Sequence, residues 1–343
     1  MQQRTSYDII IGSYGTKDKA TIHWLTLDIK EGKFRRLMAY KDIENPSYLT
    51  VNRDKTKLYA ISEVDHGSIH SYQIDHHKNQ LYKLNAKLTH GSPCYVTLTE
   101  DEQFVLSANY GGGSFISHYL NDDGSLGTSS DLLVHEASEP DRISHIHTIR
   151  NIPGTDYYIA TDLGQDKLYV YMIDSKGQFH LQQTVDLPDR SGPRHISFHP
   201  TLNILYVITE FQSTVYTLTF TNDLSHMQFI QSSPTLPEGF LGNNYGADIH
   251  VTDSGKFLFT SNRGHHSVTT FKISSDGTIE PFTYTPTHGE WPRHFTILPD
   301  GPYMIIANEH TNNIVGMAIK DNGELEQVTA PYPIDAPVCI KSL

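Results

Sequence analysis

The chain has 343 residues, 37% of them hydrophobic and 19% charged, with 24 glycines, a composition that supports a large core and excludes a disordered chain. Acids outnumber bases 39 to 26, giving a net charge of −13, so neither nucleic acid nor an anionic membrane is an expected partner. Cys94 and Cys339 supply neither a disulfide framework nor a zinc set, and the opening MQQRTSYDII lacks a signal-peptide core, so the chain is expected to be cytoplasmic.

In chain order the same elements return seven times. ATIHWLTLDIKEGKF, GSIHSYQIDHHKNQL, SFISHYLNDDGSL, DKLYVYMIDSKGQF, STVYTLTFTNDL, HSVTTFKISSDGTIE and NNIVGMAIKDNGELE are alternating stretches that run into Asp/Asn/Gly turns, the pattern of strands leading into hairpins. Their matching apolar residues are Ile22, Ile69, Phe115, Leu168, Val215, Val268 and Ile314, spaced 46 to 53 residues apart. A second apolar run precedes most of them, such as KLYAISE, FVLSANY or ILYVITE. Before that stands a strand anchored at Pro46, Pro93, Ile146, Pro193, Gly246, Pro292 and Pro337. Three residues past each anchor are Leu49, Val96, Ile149, Ile196, Ile249, Phe295 and Ile340, all apolar, and each is followed by a polar residue. That is one two-faced strand written seven times.

A repeat of about fifty residues carrying four strands predicts an all-β, seven-bladed β-propeller with four antiparallel strands per blade. The N-terminal repeat lacks its innermost strand, and the C-terminal PVCIKSL is an innermost strand without a repeat. Joining the two closes the ring, so residues 1–343 are expected to form a single domain. Cys94 and Cys339 then lie in separated blades and are expected to remain free thiols.

In an antiparallel blade, the start of the innermost strand and the end of the second lie on the same edge, so chemistry should gather on one rim. The residues after the anchors are Ser47, Cys94, His147, Arg194, Ala247, Arg293 and Val338. The second-strand ends read Glu63, Asn109, Asp162, Glu210, Asn262 and Asn308, followed by Arg263 in one blade and Glu309 in another. Structural residues should recur in a repeat protein and functional ones should not. His147, Arg194, His195, Glu210, Arg263, Arg293, His294 and Glu309 break the repeat and form the candidate cluster. His145 and His147 are two apart on a strand, which puts both rings on one face. His265 and His266 follow Arg263 in a rim loop. The glycine run at Tyr110 to Ser114 follows no βαβ pattern, no G-x-S-x-G elbow occurs, and neither a cofactor nor a metal is expected.

SHIHT at 144–148, GPRHISFHP at 192–200, ILYVITE ending at Glu210, FLFTSNRG at 257–264 and WPRHFTILPDG at 291–301 resemble the seven-bladed propeller lactonases over essentially the whole chain. The resemblance implies a metal-independent site with His147, Arg194 and Glu210 catalytic. Arg263 matches a further family arginine; His195, Arg293 and Asn262 complete the expected substrate contacts. It implies hydrolysis of a small, anionic sugar lactone, with 6-phosphogluconolactone the leading substrate. In that reading Glu210 and His147 share the acid and base duties in either order. A muconate-type cycloisomerase and a non-catalytic propeller scaffold are the alternatives. Where the family has His-Pro-His-Ser and Asn-Gln, this chain has His145-Ile146-His147-Thr148 and Asn308-Glu309.

Overall fold

The computed structural model describes residues 4–343 except 138, 223 and 225. The described residues form seven antiparallel sheets and no helix. Blade 2, for example, runs outward from Leu49–Val51 through Lys57–Ser62 and Ser68–Asp75 to Gln80–Leu88. Blade 7 has its outermost strand in two pieces, Leu325–Gln327 and Tyr332–Pro333, both paired to Asn313–Ile319. Pro337–Ser342 pairs antiparallel with Ser6–Ser13, Ile11 opposite Ile340, so the last strand of the chain becomes the innermost strand of the first blade. The innermost strand of each blade packs on that of the next, and Pro337–Ser342 packs on both Pro292–Ile297 and Leu49–Val51. The ring is closed as the repeat requires.

All seven matched residues from Ile22 to Ile314, and all seven from Leu49 to Ile340, are at most 1% exposed. The core they build is divided into layers between blades. Ile159, Leu168 and Val170 of one blade meet Ile196, Leu205 and Val207 of the next, and Ile9, Leu25 and Leu27 meet Ile305 and Ile314 across the closure. Burial of this kind stabilises by roughly 25 cal/mol per Å² of apolar surface, and each blade depends on its neighbours for it. Cys94 and Cys339 are free and buried.

One irregularity recurs and positions the site. Pairing between innermost and second strands slips just past the anchor: between Pro93 and Tyr95, Ile146 and Thr148, Pro193 and His195, Gly246 and Ile249, and Pro292 and His294, and opposite Pro337 in the first blade. A bulge leaves one residue outside the ladder and re-aims its side chain. The residues so released include Cys94, His147, Arg194 and Arg293.

Candidate active site

The strand register corrects one alignment made from sequence. Pro93, Ile146, Pro193, Gly246 and Pro292 pair with Asn109, Asp162, Thr209, Asn262 and Asn308. Glu210 therefore stands one position later than Asn262, in a row with Tyr14, Glu63, Tyr110, Leu163, Arg263 and Glu309. A shared backbone bond marks that row: the amides of Tyr14, Glu63, Leu163, Glu210 and Glu309 donate to the carbonyls of Ala336, Asn45, His145, Gly192 and Trp291, at 2.7–3.1 Å. The true Asn262 row is architectural. The Asn262 amide nitrogen donates to Thr235 O at 2.9 Å and lies within bonding distance of Ser267 and Thr269 hydroxyls, while its Oδ1 accepts from Thr235 at 2.7 Å. Asn109 and Asn308 make the equivalent bonds to Thr89 O and Thr287 O. Asn262 is consumed by its own blade and does not line the cavity below.

The bulged residues and the Glu210 row meet around a cavity of about 220 Å³ lined by Tyr14, Glu63, Cys94, Tyr110, His147, Glu210, Arg263 and Arg293. Of the residues expected from sequence, it brings together His147, Glu210, Arg263 and Arg293. Arg194 lies behind Glu210, and His195 lies deeper in the channel. Glu210 is held through one oxygen: Oε2 lies 2.8 Å from Arg263 Nη2 and 3.1 Å from Arg194 Nε. Burial opposes its ionisation, but Arg263 and Arg194 outweigh burial and hold its pKa below the ordinary value. Arg263 is lowered to about 10 by burial and by Arg194, still fully charged at neutral pH. Its guanidinium also donates to Gly246 O at 3.0 Å and lies against Trp291, 5.6 Å from the ring centre.

His147 stands in the cavity wall. Burial, then Arg194, His195, Arg293 and Arg263, hold its pKa well below 6.5, so the ring is neutral at physiological pH. Its Nδ1 is enclosed without a hydrogen-bond partner. On the opposite wall Arg293 sits 3.9 Å from Glu63 Oε2 and over the Tyr14 ring, whose hydroxyl donates to the same Glu63 oxygen at 3.0 Å. Burial works against the Arg293 charge, but Tyr14, Glu63, Glu309 and Glu210 more than offset it and raise its pKa. The Cys94 thiol also reaches the cavity, but burial pushes it far up, and it lies 3.4 Å from the carbonyls of Ile146 and His147. Such a protonated thiol is no nucleophile.

The other histidines go elsewhere. His145 does not share a face with His147, because the bulge after Ile146 breaks the two-residue period. It stacks on Tyr110 with ring centres 4.3 Å apart and faces a wider groove of about 660 Å³ that also includes Ile143, Leu163, Phe211 and Arg142. Arg142 is matched there by Glu139, Asp166 and Asp189. His265 lies 2.7 Å from the Ser267 hydroxyl, and His266 accepts from the Trp291 amide at 3.0 Å; both hold rim loops. Tyr14, Tyr110 and Asp248 escaped the sequence reading. Tyr110 stands 17 residues past Pro93, the spacing of Glu210 from Pro193 and a signal present in the sequence, whereas Tyr14 joins that row only through the ring closure.

The lactonase, 7-bladed beta-propeller family profile matches residues 8–342. The chain is 32% identical to the 6-phosphogluconolactonase of Bacillus subtilis, over 99% of both chains. It superposes on a Lactobacillus plantarum protein of 28% identity with a TM-score of 0.92, covering 98% of this chain and 99% of that one. The periplasmic gluconolactonase of Pseudomonas aeruginosa, at 25% identity, gives 0.91 with the same coverage. With seven closed blades, a rim cavity and a family match over nearly its whole length, the chain belongs to the seven-bladed β-propeller lactonases and is a lactone-hydrolysing enzyme.

Proposed function

We propose that the protein opens the ring of an aldonolactone in the rim cavity, without a metal, and that His147 carries the proton. In this reading neutral His147 takes a proton from a water as the water oxygen bonds to the lactone carbonyl carbon. Arg263 and Arg293, which line the cavity, face the negative charge that develops on the carbonyl oxygen. The C–O ring bond then breaks, and the imidazolium returns its proton to the departing alkoxide, leaving a hydroxy acid. Glu210, already paired through Oε2, fixes the Arg263 and Arg194 guanidinium groups rather than serving as a free base. The observation that carries the reading is that His147 shares one small cavity with Glu210, Arg263 and Arg293, where burial and the neighbouring arginines favour its neutral form.

The sequence-based narrowing to 6-phosphogluconolactone is supported by the name of the B. subtilis relative, and the P. aeruginosa neighbour is named for the unphosphorylated lactone. The site charge bears on this choice. Arg194, Arg263 and Arg293 are set against Glu210, Glu63 and Glu309, so the cavity is balanced before substrate arrives. A balanced site favours charge that appears in the transition state over charge already present on the substrate. Freshly prepared glucono-1,5-lactone and 6-phosphogluconolactone, each corrected for spontaneous opening, provide the test. Turnover of at least one is expected; no rate above the spontaneous one for either overturns the reading.

A further inference from the structure

Beneath the rim cavity lies a second tier of channel residues, the positions two past each anchor: Tyr48, Tyr95, Thr148, His195, Asp248, His294 and Cys339. Asp248 is the one acid among them and is 2% exposed. Its Oδ1 accepts from the Ile249 amide at 3.0 Å and lies 2.7 Å from His195 Nδ1. Its Oδ2 accepts from the Phe295 amide at 3.2 Å and lies 3.0 Å from His250 Nε2 and 3.6 Å from His294 Nε2. The carboxylate of Asp248, His250 and His294 have the mutual spacing of cation ligands, but the hydrogen bonds argue otherwise. His294 Nδ1 accepts from the Ile340 amide at 3.3 Å, so in the neutral ring the proton resides on Nε2, where a metal would have to bind.

The same reasoning fixes His195. A carboxylate only accepts, so Nδ1 carries the proton and Nε2 presents its lone pair. That lone pair faces Arg194 Nη1 at 3.4 Å, and the same Nη1 donates to Ala247 O at 2.7 Å. Arg194 Nε then lies 3.1 Å from Glu210 Oε2. The chain Asp248, His195, Arg194, Glu210 links blades 5 and 6: Asp248 sets the His195 tautomer, and the His195 lone pair faces the guanidinium that is ion-paired to Glu210. We propose that Asp248 and His195 are positioning residues for the reaction: Asp248 selects the His195 tautomer whose lone pair holds the Arg194 guanidinium against Glu210. The proposal rests on the lactonase reading for its consequence and on hydrogen bonding for its cause.

Asp248→Leu keeps approximate size and removes both acceptor oxygens. Nothing then holds the proton on His195 Nδ1, and the ring loses the partner that keeps its Nε2 lone pair toward Arg194. The test is a double-mutant cycle on kcat/KM with Arg194→Lys, which keeps the charge and loses the planar fork. If Asp248 acts through Arg194, each single variant loses about 10²-fold and the double loses little more than the worse single, as for residues that act as a unit. Losses that multiply to about 10⁴-fold overturn the proposal. Nitrogen-15 NMR of the wild-type protein supplies a second measurement that needs neither folding of the variant nor turnover. The His195 Nδ1–H tautomer is expected, and an Nε2–H tautomer overturns the proposal. A wild-type protein that shows the expected tautomer but opens no lactone refutes the functional reading and leaves the linkage standing.

Discussion

Glu210 and His147 are both essential in this account, but their loss should look different. Replacing Glu210 with Gln strips the acid from Arg194 and Arg263, whose side chains are 3% and 5% exposed. Leaving buried charges unpaired costs on the order of 3–5 kcal/mol, so Glu210→Gln should lower the melting temperature as well as the rate. An unchanged melting temperature would show that the two arginines do not depend on it. His147 has no hydrogen bond at Nδ1 to lose, and its replacement should spare stability. Its depressed pKa also sets the pH profile. The base form persists well below the ordinary histidine value of about 6.5, so kcat/KM in brief assays should stay level as pH falls through 6.5 toward 5. An acid limb centred at 6.5 would mean that the proton acceptor is a normal, solvated histidine.

At the scale of strands and blades, ring closure is the most exposed feature. Removing residues from Pro337 onward would uncover the hydrogen-bonding edge of Ser6–Ser13 and strip Ile340 from the apolar layer of Ile9 and Ile11. A large fall in melting temperature with aggregation is expected, and an unaltered melting curve would contradict the closure. The blade pattern is legible in sequence because each blade buries the same strand positions, so apolar residues return at matched places, from Ile22 to Ile314 and from Leu49 to Ile340. The bulges are not, because a one-residue slip leaves no compositional trace. The bulge separates His145 from His147, whereas Glu210 and Arg263 share a spacing of 17 residues past their anchors and Asn262 stands 16 past its own, a difference the sequence itself carries. His147, Arg194, Arg263 and Arg293 stood out because they interrupt a repeat. Asp248 shares the row of His195 and His294, and its importance lies in contacts with histidines of neighbouring blades, which only the three-dimensional packing brings to it.

Across the whole molecule, six of the 20 histidines share one environment. His23, His70, His118, His147, His195 and His294 are all at most 9% exposed, and burial depresses each pKa, to about 4 for His23, His70 and His118 and about 3 for His195. Once unfolded, these rings bind protons near pH 6.5 while the folded ones do not. The unfolded state then holds more protons, so stability rises with pH: the full contribution is present above about 6.5 and is lost as pH falls toward the folded values. The melting temperature should drop steeply between about pH 6.5 and 4, and a flat profile there would contradict the buried, neutral state of these rings. The charge of −13 makes a second demand. It repels an anionic substrate, and salt screens that repulsion as the Debye length shrinks from about 30 Å at 0.01 M to about 8 Å at 0.15 M. For 6-phosphogluconolactone kcat/KM should rise over that range, while for the neutral lactone it should stay flat. The measurement that reaches the centre of the account is kcat/KM for ring opening by wild-type protein and His147→Ala, on the lactone the wild type turns over, with melting temperatures taken alongside. The expected result is a loss of about 10²–10⁴-fold at an unchanged melting temperature; a folded His147→Ala protein that opens the lactone at the wild-type rate would contradict it.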